Sequence, residues 1–428
     1  MVDSKLQLTR EEMEILDGKK GETLQKAMKS IVLYGEAFGA KRLVPVNGSV
    51  HLVTSFGIPI LEPVFDMMEE LISNGLVTEK PFTVNPRPLD YKNIKCGPIK
   101  KVAFKIMYGK QNEYEQQLSK VGLKDCNSFS CTCYEKEVGN IPSKGEILAW
   151  AESSAVVYAN SVLGARTNRN SGVIELLSGI VGRTPEFGLL TDEGRKAKWL
   201  IELKTSQLPN AHLLGSAIGK KVVEDVPYIV GLDSYFKSMS TKEIEDYLKD
   251  MGAASASNGA VGLYHVENIT PEAKESGRAL LKESFTTYII DDEVLKATMD
   301  SYSIMWKNPD MKPKLCFIGC PHLSLNQLYE WTEKINEALK KEQKSKIAVR
   351  TILTAAPDVI SKFKEDSENY NRLISTGARL SYICPLMYMN NPICSKEPVI
   401  TNSNKLRTYT TARFYETDNI IEKIIKGI

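Results

Sequence analysis

The stretch Lys314-Leu-Cys-Phe-Ile-Gly-Cys-Pro-His-Leu-Ser324 decides the fold class of this chain. Its first half is a nearly unbroken apolar run, which is typical of a strand buried on both faces. An amphipathic helix is predicted directly after it, over 325–339. Another strand is predicted over 347–352, followed by a helix over 358–375 and a strand over 379–383. Strands that alternate with helices predict parallel βαβ units, and therefore an α/β protein.

The end of the first of these strands carries candidate site residues. In an open α/β sheet, the carboxyl ends of the strands border the ligand crevice. Gly319 permits a tight turn there, Cys320 is expected to face the crevice, and Pro321 is expected in the first turn of the next helix. Cys384-Pro385 repeats the arrangement at the end of the strand predicted over 379–383. Two Cys-Pro pairs at strand ends suit a shared metal site, but packed cysteines and strand-ending prolines explain the same pattern.

Length and composition indicate a globular protein with several lobes. The 428 residues exceed the size at which one hydrophobic core stops growing. A content of 42% hydrophobic and 25% charged residues argues against disorder. Changes of pattern divide the chain into α/β lobes over 1–145, 146–310 and 311–428. The central lobe is predicted to be rich in helix, beginning with a helix over 146–162.

Charge and cysteine usage exclude several classes of function. The chain has 55 basic and 53 acidic residues, without the basic patch of a nucleic-acid or membrane-surface protein. No run of about 18 apolar residues predicts a membrane span, and the charged start, Met1-Val-Asp-Ser-Lys5, does not resemble a signal peptide. Eight cysteines in such a chain favour reduced thiols over a disulfide framework, and so a cytoplasmic location.

The stretch Ser130-Cys131-Thr-Cys133-Tyr134 offers a third thiol. If this segment is extended, the two cysteine side chains lie on opposite faces. We therefore expect one of them to be a ligand and the other to be packed.

A polar turn follows the stretch Ala149-Trp-Ala-Glu-Ser-Ser-Ala155, which leads to Asn160 and to Gly164-Ala-Arg-Thr-Asn-Arg169. Its two arginines, with the Thr and the Asn between them, are able to clamp a carboxylate, because a guanidinium is a planar fork of donors. A solvated loop at a helix end explains the same residues. The chain lacks HExxH, P-loop, GxGxxG and GxSxG motifs, which weakens kinase, dinucleotide and serine-hydrolase interpretations.

Together these segments resemble the aconitase X family, a branch of the aconitase superfamily. The resemblance runs from near residue 8 to beyond 405. The matching stretches are Gly21-Glu-Thr-Leu-Gln-Lys-Ala-Met28, Thr83-Val-Asn-Pro86, Ser130-Cys-Thr132, Ala149 to Ala155, Ala159 to Arg169, Val181-Gly-Arg-Thr-Pro185, Asp225-Val-Pro-Tyr228, Leu263-Tyr-His-Val-Glu267, Ile318-Gly-Cys-Pro-His322, Cys384 and Thr401-Asn-Ser403.

The resemblance implies an aconitase-like α/β hydro-lyase that acts on cis-3-hydroxy-L-proline or, as the alternative, on mevalonate 5-phosphate. It also implies an iron–sulfur cluster, or a mononuclear iron, held by Cys131, Cys320 and Cys384 and acting as a Lewis acid. Two departures affect this assignment. The family commonly has Cys-Thr-Pro-Tyr where this chain has Cys-Thr-Cys133-Tyr, so Cys133 is a rival ligand, and it has Gly where this chain has Asn404.

The implied site includes groups that hold the substrate and move its proton. The candidate substrate-binding residues are Lys26, Asn160, Arg166, Thr167, Asn168 and Arg169. The candidate catalytic residues are Ser153, Ser154, His322 and Ser403. Because no convincing base is visible, the resemblance implies a separate small swivelling-domain subunit that supplies it, with Ser403 as the local rival. An aconitase-like isomerase and a non-catalytic iron-responsive binding protein are the alternative functions.

Overall fold

A computed structural model of the chain describes residues 5–53 and 58–428, so the first four residues of the start quoted above lie outside these ranges. Within them the chain forms three parallel β-sheets and one antiparallel strand pair, with helices between the strands. The predicted α/β class is therefore confirmed. The division into lobes over 1–145, 146–310 and 311–428 stays a prediction.

The first part of the chain contains a three-stranded parallel sheet and an antiparallel pair. The sheet order is β3-β2-β4, and β1 pairs with β5. The elements are α1 (Arg10–Leu16), α2 (Glu22–Ala37), β1 (Leu43–Pro45), β2 (Val50–Leu52), α3 (Ile58–Ser73), β3 (Phe82–Val84), α4 (Pro98–Tyr108), α5 (Gln111–Val121), β4 (Ala149–Trp150), α6 (Ser153–Tyr158), a π-helical turn (Ala159–Leu163), α7 (Gly172–Val181) and β5 (Arg183–Pro185).

The middle part contains a four-stranded parallel sheet in the order β8-β7-β6-β9. Its apolar core lies between the sheet and helices α8 and α9. The elements are β6 (Ala197–Lys204), α8 (Ala211–Val222), β7 (Pro227–Val230), α9 (Thr241–Asn258), β8 (His265–Val266), α10 (Pro271–Ser276), β9 (Leu281–Asp291) and α11 (Asp292–Asp300), with 3₁₀ turns at Gly188–Leu190, Glu193–Arg195, Asp233–Ser238 and Gly277–Leu280.

The last part contains a five-stranded parallel sheet in the order β12-β11-β10-β13-β14. Its central strand is buried at all nine positions, as the apolar run predicts. The elements are β10 (Leu315–Leu323), α12 (Leu325–Lys341), β11 (Arg350–Ala355), α13 (Pro357–Glu365), α14 (Ser367–Ser375), β12 (Arg379–Ser381), α15 (Pro385–Met389), a 3₁₀ turn (Cys394–Lys396), β13 (Val399–Thr401), α16 (Asn404–Tyr409), β14 (Arg413–Phe414) and α17 (Thr417–Lys426).

Four local predictions differ from the structure. Pro321 lies inside β10 and not in a helix, because Ser324 caps α12 through a capping box with Gln327. The helix predicted over 146–162 begins only at Ser153, since Ala149 and Trp150 pair with β2 instead. The helix predicted over 358–375 is divided at Asp366, whose carboxylate caps α14. The strand predicted over 347–352 lies three residues later, as β11. No helix in the described ranges is long and apolar enough to cross a membrane.

Candidate active site at the thiol cavity

A cavity of about 500 Å³ lies where three separate segments of the chain meet, and each segment contributes a buried thiol. Cys131 comes from the loop before β4, Cys320 from β10, and Cys384 from the residue directly before α15. Ser153 and His322 also line this cavity. Five of the residues that the sequence predicts for the site are thus brought together. This cavity is called the thiol cavity below.

Gly319 sets the course of the chain beside Cys320. Its φ angle is +100°, a conformation that residues with a side chain rarely adopt. A Cβ atom at this position would also collide with the backbone carbonyl oxygen of Thr354 on the neighbouring strand. The tight turn that the sequence predicts here is not formed, because Gly319 lies inside β10, where the register with β11 shifts between Ile318 and Leu323. At that irregularity both conformation and space favour glycine.

His322 connects the three segments that carry the thiols. Its Nε2 lies 3.0 Å from the carbonyl oxygen of Ile383, and its Nδ1 lies 3.1 Å from Ser130 Oγ. Because a carbonyl only accepts, Nε2 carries the proton and Nδ1 accepts from the serine hydroxyl. The backbone N–H of His322 also points at Cys131 Sγ, at 3.3 Å. Burial lowers the pKa of the imidazole to about 4, so the ring is neutral at physiological pH.

Burial dominates the electrostatics of the three thiols. It raises the pKa of Cys131 well above its usual value, raises that of Cys320 to about 12, and raises that of Cys384. Smaller effects act in the opposite direction. The N–H of His322 favours a thiolate at Cys131, and the amides at the start of α15 favour one at Cys384. The three thiols are therefore protonated when no cation is bound, and a coordinating cation would displace their protons.

A buried ion pair forms one wall of the cavity, and sequence reasoning did not select either partner. Lys405 Nζ donates to the Glu152 carboxylate and to Ser154 Oγ at 3.1 Å, and both charged residues line the cavity. Burial opposes the charge on Lys405, but Glu152 and then the cysteine thiols outweigh it, so its pKa is raised. Burial likewise opposes the Glu152 carboxylate, but Lys405 holds its pKa below the usual value. Both groups are therefore charged.

Three of the proposed substrate-binding residues are buried and form hydrogen bonds within the chain. Asn160 Nδ2 donates to the carbonyl oxygens of Thr167 and Gly262, both at 2.9 Å. The amide side chain of Asn168 donates to the carbonyl oxygen of Phe187 and accepts from the N–H of Leu189. Thr167 is fully buried. None of the three lines the thiol cavity.

The three cations predicted to bind substrate also lie away from the cavity lining. Arg166 donates to the carbonyl oxygen of Leu190 at 3.0 Å and pairs with Asp192. Arg169 is exposed and lies 3.4 Å from the carbonyl oxygen of Ala256. Lys26 lies on the surface of α2, where it pairs with Glu70 at 2.9 Å and with Glu22 at 3.2 Å. The predicted clamp is therefore not assembled at the thiols.

The remaining candidates, Ser403, Ser154 and Cys133, do not line the thiol cavity. Ser403 donates its hydroxyl proton to the carbonyl oxygen of Cys320 and caps α16 by accepting from the N–H of Leu406 at 3.1 Å. Ser154 donates to Glu152 Oε2 at 2.6 Å. Cys133 is fully buried in an apolar cluster with Tyr134 and Trp150 and does not line the cavity, whereas Cys131 does.

The two metal centres that the resemblance implies, a mononuclear iron and an iron–sulfur cluster, place different demands on the donor side chains. Across residues 5–53 and 58–428, no three side chains of His, Cys, Asp or Glu approach closely enough to hold a single metal ion. Three thiols nevertheless line one cavity, and iron–sulfur clusters are held by cysteine thiolates bound to different iron atoms of the cluster. Amide donors beside two of the sulfurs suit such a cluster as well. The residues present fit a cluster.

Comparisons with known proteins identify the family of the chain. The model of the aconitase X first domain matches residues 5–193, and that of the second domain matches residues 179–300. The phosphomevalonate dehydratase large subunit of Thermococcus kodakarensis is 32% identical over 97% of this chain and 99% of its own length. The protein of the same name from Methanocaldococcus jannaschii is 30% identical over 98% and 99%. A crystal structure described as Thermococcus kodakaraensis aconitase X in its holo-form superposes with a TM-score of 0.79, at 30% identity, covering 98% of this chain and 100% of that one.

Proteins named cis-3-hydroxy-L-proline dehydratase match less closely. That of Hypocrea jecorina is 27% identical and is covered over 52% of its length. That of Pseudomonas aeruginosa is 25% identical and is covered over 65%. The fold is thus aconitase-like, and the class of protein is a dehydratase. The chain belongs to the aconitase X family.

Proposed function

We propose that this chain is the large, catalytic subunit of a dehydratase that removes water from mevalonate 5-phosphate. The observation that carries the proposal is the meeting of Cys131, Cys320 and Cys384 at one cavity. These thiols are separated by long stretches of chain and come from a loop, from β10 and from the residue directly before α15. A fold that brings buried thiols together at a cavity with a buried ion pair supports metal-assisted chemistry on a small anion.

In this proposal the three thiols hold an iron–sulfur cluster. When bound, the cluster supplies a Lewis acid for the hydroxyl group that leaves the substrate, since hydroxide is a poor leaving group. His322 acts as a positioning residue, because it is neutral and both ring nitrogens are occupied. Cys133 packs in the apolar core and is not part of the ligand set.

Lys405 is proposed to attract and orient the anionic substrate. Its ammonium is the cation on the described lining of the cavity, and Glu152 keeps it charged and fixed in direction. Ser153, whose Oγ lies 3.4 Å from Lys405 Nζ, offers a hydroxyl beside it. The carboxylate of the substrate, when it is held here, acidifies the C–H group next to it. Holding the substrate in a fixed position also favours the geometry in which it reacts. Apolar side chains, among them Leu386 and Met387, exclude water.

The proton must then pass to a base, and we propose that a separate small subunit supplies it. On the described lining of the cavity, Glu152 is held as a carboxylate by Lys405 and is a weak base. The imidazole of His322 has no ring nitrogen left to accept a proton from a substrate. Ser403 is engaged as both a donor and a helix cap behind Cys320. The matched relatives are named large subunits, which supports a two-subunit enzyme.

The choice of mevalonate 5-phosphate replaces the preference for hydroxyproline that sequence reasoning gave. The phosphomevalonate relatives match over almost their whole length, whereas the hydroxyproline enzymes are longer than the matched region and less similar. A match over nearly the whole length of proteins named phosphomevalonate dehydratase large subunit supports the first substrate.

The test is a direct comparison of substrates. The chain is co-expressed with the small subunit that the proposal requires, purified without air, and loaded with iron and sulfide. We expect loss of water from mevalonate 5-phosphate, detected by mass spectrometry of the product. We expect no comparable turnover of cis-3-hydroxy-L-proline. Turnover of hydroxyproline with a higher kcat/KM than phosphomevalonate would reverse the assignment. A Cys133→Ser complex serves as a matched control, since that thiol lies outside the cavity.

A further inference from the structure

A second cavity, of about 1070 Å³, lies at the carboxyl edges of two parallel sheets. It is lined by residues 207–213, which follow β6, by Asp292, which follows β9, and by Asn402, which follows β13. In open parallel sheets, ligands bind at this edge. Among the residues that the structure describes, none lines both this cavity and the thiol cavity, so the two are distinct. The second cavity is called the acidic cavity below.

The lining of the acidic cavity carries eight carboxylate side chains but only two lysines. Two carboxylates have a cation of their own, since Asp246 lies 3.4 Å from Lys249 Nζ and Glu330 lies 3.4 Å from Lys334 Nζ. The carboxylates that form no ion pair with a lysine or an arginine of residues 5–53 and 58–428 are Asp250, Asp300, Glu416 and Asp418. Asp300 also ends α11, where the helix carbonyls disfavour a carboxylate. The cavity thus carries negative charge that the fold does not compensate.

His212 is a second and independent sign of a ligand. It is only 6% exposed and lines the cavity. Its Nδ1 has no hydrogen-bond partner in the described chain, and its Nε2 lies 3.9 Å from Asp250 Oδ2, beyond hydrogen-bond distance. Within the same ranges Oδ1 of Asn402, also on the lining, is unpaired as well. Burial lowers the pKa of the imidazole, so the ring is neutral and offers an acceptor, as the amide oxygen does. The lining therefore suits a ligand with hydrogen-bond donors.

Apolar side chains lie between these polar groups. Leu295 and Met299 are one turn apart on α11, and Trp331 lines the cavity from α12. Across the described residues, no three side chains of His, Cys, Asp or Glu lie close enough to hold one metal ion, so the carboxylates are dispersed. Dispersed charges with apolar surface between them suit a ligand whose own charges are separated by hydrocarbon.

We propose that the acidic cavity binds a linear aliphatic polyamine. Its ammonium groups pair with the four uncompensated carboxylates and donate to His212 and Asn402, and its methylene chain packs against Leu295 and Met299. An ammonium group has only donors, which matches a lining of acceptors. The site contains none of the three thiols that line the other cavity, so the inference stands or falls independently of the proposed function.

The test measures binding of spermidine to the full chain by titration calorimetry at low ionic strength, where charge pairs are least screened. Asp300→Asn and Asp418→Asn each remove one charge at an exposed position and are expected to weaken binding about two- to fivefold, and the double variant about tenfold. Asp310→Asn, the same change at an exposed residue outside the cavity, is the matched control and keeps wild-type affinity. Asp246 is left intact because its partner Lys249 also donates to the carbonyl oxygen of His322.

A second ligand separates charge from shape. Hexaamminecobalt(III) has N–H donors and the same charge as spermidine but no methylene chain, so it is expected to bind about fivefold more weakly or worse. Equal affinity for the two ligands would reduce the site to a general cation-binding surface and overturn the inference. The absence of spermidine binding would overturn it too, as would equal weakening by Asp310→Asn and Asp300→Asn. Tighter binding of spermidine that only the cavity variants weaken supports it.

Discussion

The imidazole of His322 donates its Nε2–H to the carbonyl oxygen of Ile383 across 3.0 Å, and Ile383 is the residue directly before Cys384. The same ring accepts a hydrogen bond from Ser130, directly before Cys131, and lies two residues after Cys320. One neutral side chain thus connects the three backbone segments that present the thiols. The geometry of the proposed ligand set therefore depends on a residue outside that set.

Replacing His322 with Ala is expected to lower stability and, more specifically, to release iron. The change leaves a void and unpaired buried partners, and each effect costs on the order of 1–3 kcal/mol. Chemical denaturation and iron analysis of the reconstituted protein measure the two effects. His212→Ala is the matched control, since this buried histidine lines a different cavity. It should lose stability and keep its iron. An iron content equal to wild type in His322→Ala would refute the positioning role.

The cysteines are expected to divide into two groups. Cys131→Ser, Cys320→Ser and Cys384→Ser should each lose the visible absorption of a reconstituted cluster, because a hydroxyl is a poor replacement for a thiolate ligand. Cys133→Ser and Cys316→Ser should retain it, since both thiols are packed in the apolar core. Iron and sulfide per chain provide the measurement. A Cys133→Ser protein without a cluster, beside a normal Cys131→Ser, would exchange the roles of these two residues.

The Glu152–Lys405 pair is expected to show strong coupling. Lys405→Met leaves the Glu152 carboxylate buried without its cation, which costs about 3–5 kcal/mol in comparable buried pairs. Adding Glu152→Gln removes the stranded charge and should recover a large part of that loss. A double-mutant cycle of unfolding free energies measures the coupling. Simple addition of the two single effects would show that the pair does not act as a unit.

Arg166 and Lys405 differ in their expected effect on catalysis. Arg166 contacts Leu190 and Asp192 and does not line the cavity, so Arg166→Lys should keep kcat/KM within about threefold of the wild type. Lys405→Met removes the cavity cation and should lower kcat/KM by about a hundredfold or more. Kinetics of both variants with the small subunit present decide the matter. A large loss in Arg166→Lys alone would restore the clamp that the sequence suggested.

The fold class was accessible from sequence because β10 carries its own signal. A continuous apolar run before Gly319 and Cys320 predicts a buried parallel strand, and the structure has one. The strand continues to Leu323, so Cys320 lies inside it and not at its end, but its side chain still lines the cavity. Cys384 followed from the same rule. Local patterns misled at Ala149–Trp150, where pairing with β2 overrides a helical pattern, and at Pro321, which the strand includes.

The charged pair at the cavity was not visible in the sequence, because Glu152 and Lys405 lie far apart in the chain and neither belongs to a spaced motif. A usable signal existed for Lys405. It follows β13, which neighbours β10, and so lies at the same carboxyl edge as Cys320. The arginines of the polar turn had the right chemistry for a clamp, but only the tertiary structure shows that Leu190 and Asp192 use Arg166.

The central claim is that the thiol cavity catalyses dehydration only when a small subunit completes it. The most direct measurement is the rate of water loss from mevalonate 5-phosphate under anaerobic conditions, for the iron-loaded chain alone and after addition of the small subunit. We predict negligible turnover by the chain alone and turnover that rises with added small subunit to saturation at a fixed stoichiometry. Full turnover by the chain alone would contradict the claim and return Ser403 to consideration as the base.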